Sequence, residues 1–116
     1  MQKIEKWRLE ELALVLNHLA ELLSKGNNRD WAAVFSHFHQ ESQLIIAAQE
    51  FNLEQVRKLI MNIKNCYSGV SSFMSLSLHH ENEKEKTELN QKLLMARTRL
   101  LKIMAELENR TIEYIS

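Results

Sequence analysis

No proline occurs anywhere in the 116 residues, and glycine occurs only twice, at Gly26 and Gly69. Average usage would place roughly six prolines and eight glycines in a chain of this length. Proline breaks helix interiors and glycine weakens them, so this chain is free to form long, uninterrupted helices. A turn-dense β-sandwich, a collagen-like repeat and a proline-rich linker are all disfavoured. The length suits one domain spanning residues 1–116, able to bury about two thirds of its unfolded surface.

Apolar spacing supports four helices. From about Ile4 to Lys25, Leu9, Leu12, Leu16, Leu19 and Leu23 recur at steps of three and four. Trp7 and Leu14 lie on a different face, so this helix is apolar on more than one side. Gly26, followed by Asn27 and Asn28, reads as a left-handed C-terminal stop. A second helix runs from Trp31 to the Ala47–Glu50 region, capped by Asn28 or Asp30. Trp31, Val34, Phe35, Phe38 and Ile45 share one face, and Ser42 interrupts that stripe. A third helix opens at Asn52 and Gln55, which have capping-box spacing, with Phe51 and Val56 as a hydrophobic staple. Val56, Leu59, Ile60 and Ile63 form its core stripe, which ends near Cys66 or Tyr67.

Residues 65–80, NCYSGVSSFMSLSLHH, contain no Asp, Glu, Lys or Arg. Serine competes with helix by bonding nearby backbone, so a break is expected at Ser68–Ser72. A short helical or irregular piece then carries Phe73, Met74, Leu76 and Leu78. The alternation of Met74, Leu76 and Leu78 also suits a strand, but a lone strand would have no pairing partner. The last helix runs from about Glu83 to Arg110 or beyond, again with a capping-box pair, Asn82 and Glu85. Leu89, Leu93, Ala96, Leu100, Ile103 and Leu107 form its seam. Its first turns are acidic and its later part is basic, an order that complements the helix dipole. The expected architecture is an all-α, antiparallel four-helix bundle with an irregular or short helical segment before a long C-terminal helix.

Chemistry is harder to place. Fifteen basic and fifteen acidic residues leave a formal net charge of zero. That disfavours nucleic-acid binding through bulk positive charge and removes a barrier to self-association. Cys66 is the only cysteine, so no internal disulfide can form, which fits a reducing cytoplasm. The opening residues, MQKIEKWRLEEL, lack the apolar run of a signal peptide. No stretch approaches the ~20 apolar residues of a membrane span.

His37 and His39 point to opposite sides of a helix, and no His-x-x-x-His or Glu-x-x-His pair occurs, so no metal or other cofactor is expected. No nucleophile elbow or glycine-rich phosphate loop is present. Arg29 and His37 are the nearest approach to a helical-bundle RNase pair. The uncharged stretch is the better candidate. Interface centres favour aromatics and methionine and are poor in charge. Tyr67, Val70, Ser72, Phe73 and Met74 are therefore expected to contact a partner or shape the loop. Exposed polar residues of the last helix, such as Glu85 or Arg97, are expected to supply rim contacts.

Trp31-Ala32, then Tyr67-x-Gly69-x-x-Ser72-Phe73-x-x-Leu76 before a long last helix, resembles a group of small bacterial helical proteins encoded beside secreted or polymorphic toxins. The resemblance spans about Leu12 to Leu107. It implies an immunity protein, a non-enzymatic cytoplasmic inhibitor that binds one cognate toxin. The two alternatives are a homo-oligomeric structural or adaptor protein, which would form at least a homodimer, and a small helical-bundle RNase.

Overall fold

A computed structural model describes residues 4–48, 52–67, 73 and 76–115, with side chains of the last helix through Arg110. Four helices follow in order: α1 (Lys6–Lys25), α2 (Arg29–Ala47), α3 (Leu53–Cys66) and α4 (Glu83–Ile115). Among the described residues there is no strand. The chain is an all-α bundle.

α1 sits at the centre, between α2 and α4. Its leucine seam is fully buried, and Ala13, Val15 and Leu22 widen the buried face because the helix is covered on two sides. Ion pairs set the direction of α4. Arg8 lies 3.3 Å from Glu106 and Arg99 lies 3.5 Å from Glu11, so α4 runs antiparallel to α1. α3 packs on α2 and α4, and Lys64 reaches Glu108 at 3.0 Å. Helices of this kind are stabilised mainly by burying an apolar stripe rather than by propensity. On α4 that stripe is Leu89, Leu93, Ala96, Leu100, Ile103 and Leu107, all buried.

The 33 residues of α4 give a helix about 50 Å long. That matches the longest dimension of the molecule, 51 × 27 × 19 Å. The radius of gyration is 15.0 Å, above the roughly 13 Å of a compact chain this size, because one helix runs the full length.

Three asparagines start helices. Asn28 Oδ1 accepts from Trp31 N–H, Asn52 Oδ1 from Gln55 N–H, and Asn82 Oδ1 from Lys84 and Glu85 N–H. Each removes an orphan donor of a first turn. Phe51, the other half of the expected staple, lies outside the described residues.

The α1–α2 turn corrects one expectation. Gly26 has φ −86°, so it is not the left-handed residue; Asn27 is, at φ 61°. Asn28 N–H donates to Leu23 O at 2.9 Å and Asn27 N–H to Ser24 O at 3.1 Å, the pair of bonds of a Schellman motif. Asparagine tolerates this conformation better than other non-glycine residues. Gly26 is required for a different reason. A Cβ there would lie 2.7 Å from Leu78 Cβ, inside its van der Waals shell.

Ser42 does not break the α2 stripe. It is buried, and its hydroxyl donates back to His39 O at 2.6 Å. Trp7 and Leu14 do not complete the core: they are 50% and 69% exposed.

Candidate functional site

The connection between α3 and α4 holds most of the residues singled out above. Its described part, Phe73 and residues 76–82, is not helical apart from a single tight turn at Phe73. Irregular backbone against a core needs partners for its polar groups. Here α4 supplies them through two side chains seven residues apart, which therefore share a face of the helix.

Asn90 takes Leu78. Its Oδ1 accepts from Leu78 N–H at 2.7 Å, and its Nδ2 donates to Leu78 O at 3.0 Å. A single side-chain amide thus makes the two bonds that an adjacent strand would make. The alternation expected from sequence survives in this limited form. Leu76 and Leu78 turn inward and Ser77 outward, without a strand.

Arg97 takes the preceding residues. Its Nη1 donates to Phe73 O at 2.7 Å and to Leu76 O at 3.1 Å. Only 8% of Arg97 is exposed, so it is not the rim residue expected from sequence. A charged side chain enters the core because it binds two backbone carbonyls there, Leu76 O and Phe73 O, the latter shared with Leu76 N–H at 3.3 Å. Burial lowers its pKa, an effect partly opposed by Tyr67. The Tyr67 hydroxyl donates to Arg97 O at 3.2 Å, joining the end of α3 to the middle of α4. Burial pushes the Tyr67 phenol well above its ordinary range, with the Arg97 charge acting in the opposite direction.

Phe73 is fully buried, so it shapes the connection and does not reach a partner. Its ring sits 4.6 Å from that of Phe35, 5.4 Å from Trp31 and 5.6 Å from Tyr67, the last edge-on at 85°. Phe38 extends the cluster, edge-on to Phe35 at 5.5 Å. Tilted and edge-on rings gain beyond their area burial. Val70, Ser72 and Met74 lie outside the described residues. Glu85 is exposed and lies 2.8 Å from His80 Nε2, while His80 Nδ1 accepts from Asn82 N–H. Glu85 therefore turns to His80 instead of closing the capping box.

Beside the connection lies a shallow groove of about 450 Å³, between Ser77 and the α4 residues Glu83, Thr87, Gln91 and Leu94. Leu94 is exposed within it, and Leu101 is exposed two turns further along α4. Sequence reading missed Asn90, Leu94 and Leu101 as site residues. Asn90 had a weak signal, since asparagine is a poor residue for a helix interior.

The remaining reactive groups are dispersed. Arg29 and His37 stand eight residues apart on α2, about 12 Å along its axis. His37 is engaged with Glu41 at 2.6 Å. Burial raises the Cys66 pKa, which lowers the thiolate fraction at neutral pH. Among the described residues no group of three or more His, Cys, Asp or Glu is placed to hold a metal, and no helix is long and apolar enough to cross a membrane.

No family model matches the chain, and no curated protein or solved structure is significantly similar to it.

Proposed function

We propose that the chain is a non-catalytic binding protein of the immunity type, acting in the cytoplasm on one cognate toxin. The observation that carries this reading is the backbone held by α4 at Phe73, Leu76 and Leu78. Arg97 and Asn90 hold Phe73, Leu76 and Leu78 against α4, while Ser77, His79 and the neighbouring Leu94 stay exposed. A loop held in one conformation before binding loses less entropy on complex formation than a free one. The Tyr67-to-Leu76 motif resemblance supplies the class of partner. Exposed Leu94 and the groove beside Ser77 form the centre of the proposed face, with Glu85 at its rim. Tyr67, Phe73 and Arg97 act as the frame behind it, and Val70, Ser72 and Met74 complete the contact set.

Co-expression with a candidate toxin, taken from the neighbouring genes, tests the reading. Restored growth and co-purification are expected. Leu94→Glu should keep the helical fold, because Leu94 is exposed, and should weaken neutralisation at least tenfold. Neutralisation equal to the unsubstituted chain would move the contact elsewhere. Absence of both rescue and binding would remove the toxin reading altogether.

A further inference from the structure

A second surface lies on a different flank of α4. Leu14 of α1 is 69% exposed and Met95 of α4 is 72% exposed. Both neighbour the Glu11–Arg99 ion pair. Leu14 follows Glu11 by three residues and Met95 precedes Arg99 by four. Because α1 and α4 are antiparallel, both steps run the same way along the bundle. The two apolar side chains therefore share a level and a flank.

Charge around Met95 has a pattern. Glu88 stands seven residues before it and Lys102 seven after; Lys84 stands eleven before and Glu106 eleven after. Steps of seven and eleven return to one helix face, so these residues form a single stripe. All are exposed, and neither Glu88 nor Lys102 has an ion-pair partner among the described residues. Their signs reverse about Met95.

We propose that a second copy of this chain docks here, α4 on α4, antiparallel across a two-fold axis at Met95. Such an axis sets each residue against the one equally far on the other side. Glu88 meets the second copy's Lys102, twice by symmetry, and these pairs carry the charge match; Lys84 faces the second copy's Glu106, which its own Arg8 and Arg110 already engage at 3.3 and 3.4 Å. Arg99 meets Gln91 and is already neutralised by its own Glu11. Leu14 of each copy flanks the central methionines. Zero net charge leaves no long-range repulsion between copies. The α1–α4 face is about 30 Å long and 20 Å wide, or about 600 Å² per copy. That lies at the low end of specific interfaces, the range of weak, transient association. This inference does not rest on the toxin reading: its stripe of Glu88, Met95 and Lys102 lies beside the groove of Ser77 and Leu94, with Gln91 at the border of both.

Sedimentation equilibrium between about 10 µM and 1 mM at low salt tests it, with circular dichroism confirming that each variant is folded. The unsubstituted chain is expected to pass from one chain's mass toward two, less readily at high salt. Glu88→Lys sets two lysines against each other and should raise the dissociation constant about tenfold, as should Lys102→Glu. The double variant E88K/K102E restores complementarity and should recover the original affinity. Met95→Lys, which places two like charges at the axis, should give a monomer throughout. A strict monomer at 1 mM, single swaps without effect, or a double variant no better than the singles would each overturn the proposal.

Discussion

Two connections in this bundle solve the same problem in different ways. The α1–α2 turn occupies Gly26 to Asn28 and satisfies its backbone locally, with bonds to Leu23 and Ser24 and a cap to Trp31. The connection before α4 is longer and takes its bonds from far along the chain. Arg97 is 24 residues from Phe73 and 21 from Leu76, and Asn90 is 12 from Leu78. The first connection is held by its own residues, the second by the helix that follows it. The two meet where Leu78 fills the space left by the missing side chain of Gly26. A local turn and a clamped segment therefore share one contact, and damage to either is felt in both.

The largest blow to the clamped side should come from Phe73→Ala. It empties the centre of the aromatic cluster and should cost about 3–5 kcal/mol in urea unfolding. Arg97→Met keeps much of the side-chain volume but removes the donor to Leu76 O and the shorter of two bonds to Phe73 O. Its expected cost is about 3 kcal/mol, with α1 and α2 less affected in hydrogen exchange than the amides of residues 76–78.

Gly26→Ala probes the shared contact. Displacing Leu78 should cost about 1–3 kcal/mol. In the Leu78→Ala background the same substitution should cost much less, giving a non-additive double-mutant cycle. Additive values would show that the two connections are independent.

Tyr67→Phe is the mildest change, removing one hydrogen bond at about 1 kcal/mol. It also carries a pH signature. Burial raises the phenol's folded pKa above its unfolded value near 10, so the folded chain holds this proton more tightly. Stability from Tyr67 is fully present below pH 10 and falls as pH rises further. Urea midpoints should decline above pH 10 in the parent chain and less steeply in Tyr67→Phe.

The same contrast explains what could be read from sequence. Helix positions followed from leucine spacing, and the caps at Asn28, Asn52 and Asn82 followed from nearby residues, because both are short-range properties. The role of Gly26 was misassigned because its cause, Leu78, lies across the bundle. Arg97 was expected on the surface because arginine usually is. Its burial depends on carbonyls whose orientation no local pattern records. Asn90 was overlooked for the same reason. Of the candidate site, the location before α4 was legible, while the division into buried frame and exposed face was not. Phe73 illustrates the difference: its composition suits an interface, yet the cluster formed with Trp31, Phe35 and Tyr67 takes it inside.

The clamp also imposes an order in time. Translation releases roughly 5–20 residues per second, so Phe73 and Leu78 leave the ribosome before Asn90 and Arg97 do. During that interval α1, α2 and α3 are complete, but Leu76 and Leu78 lack the α4 side chains that bond their backbone. Those bonds form only once α4 has been made and lies along α1. A chain stopped short of Asn90 would keep the ring contacts of Phe73 with α2 and Tyr67 but would lack every bond that α4 gives to Phe73, Leu76 and Leu78.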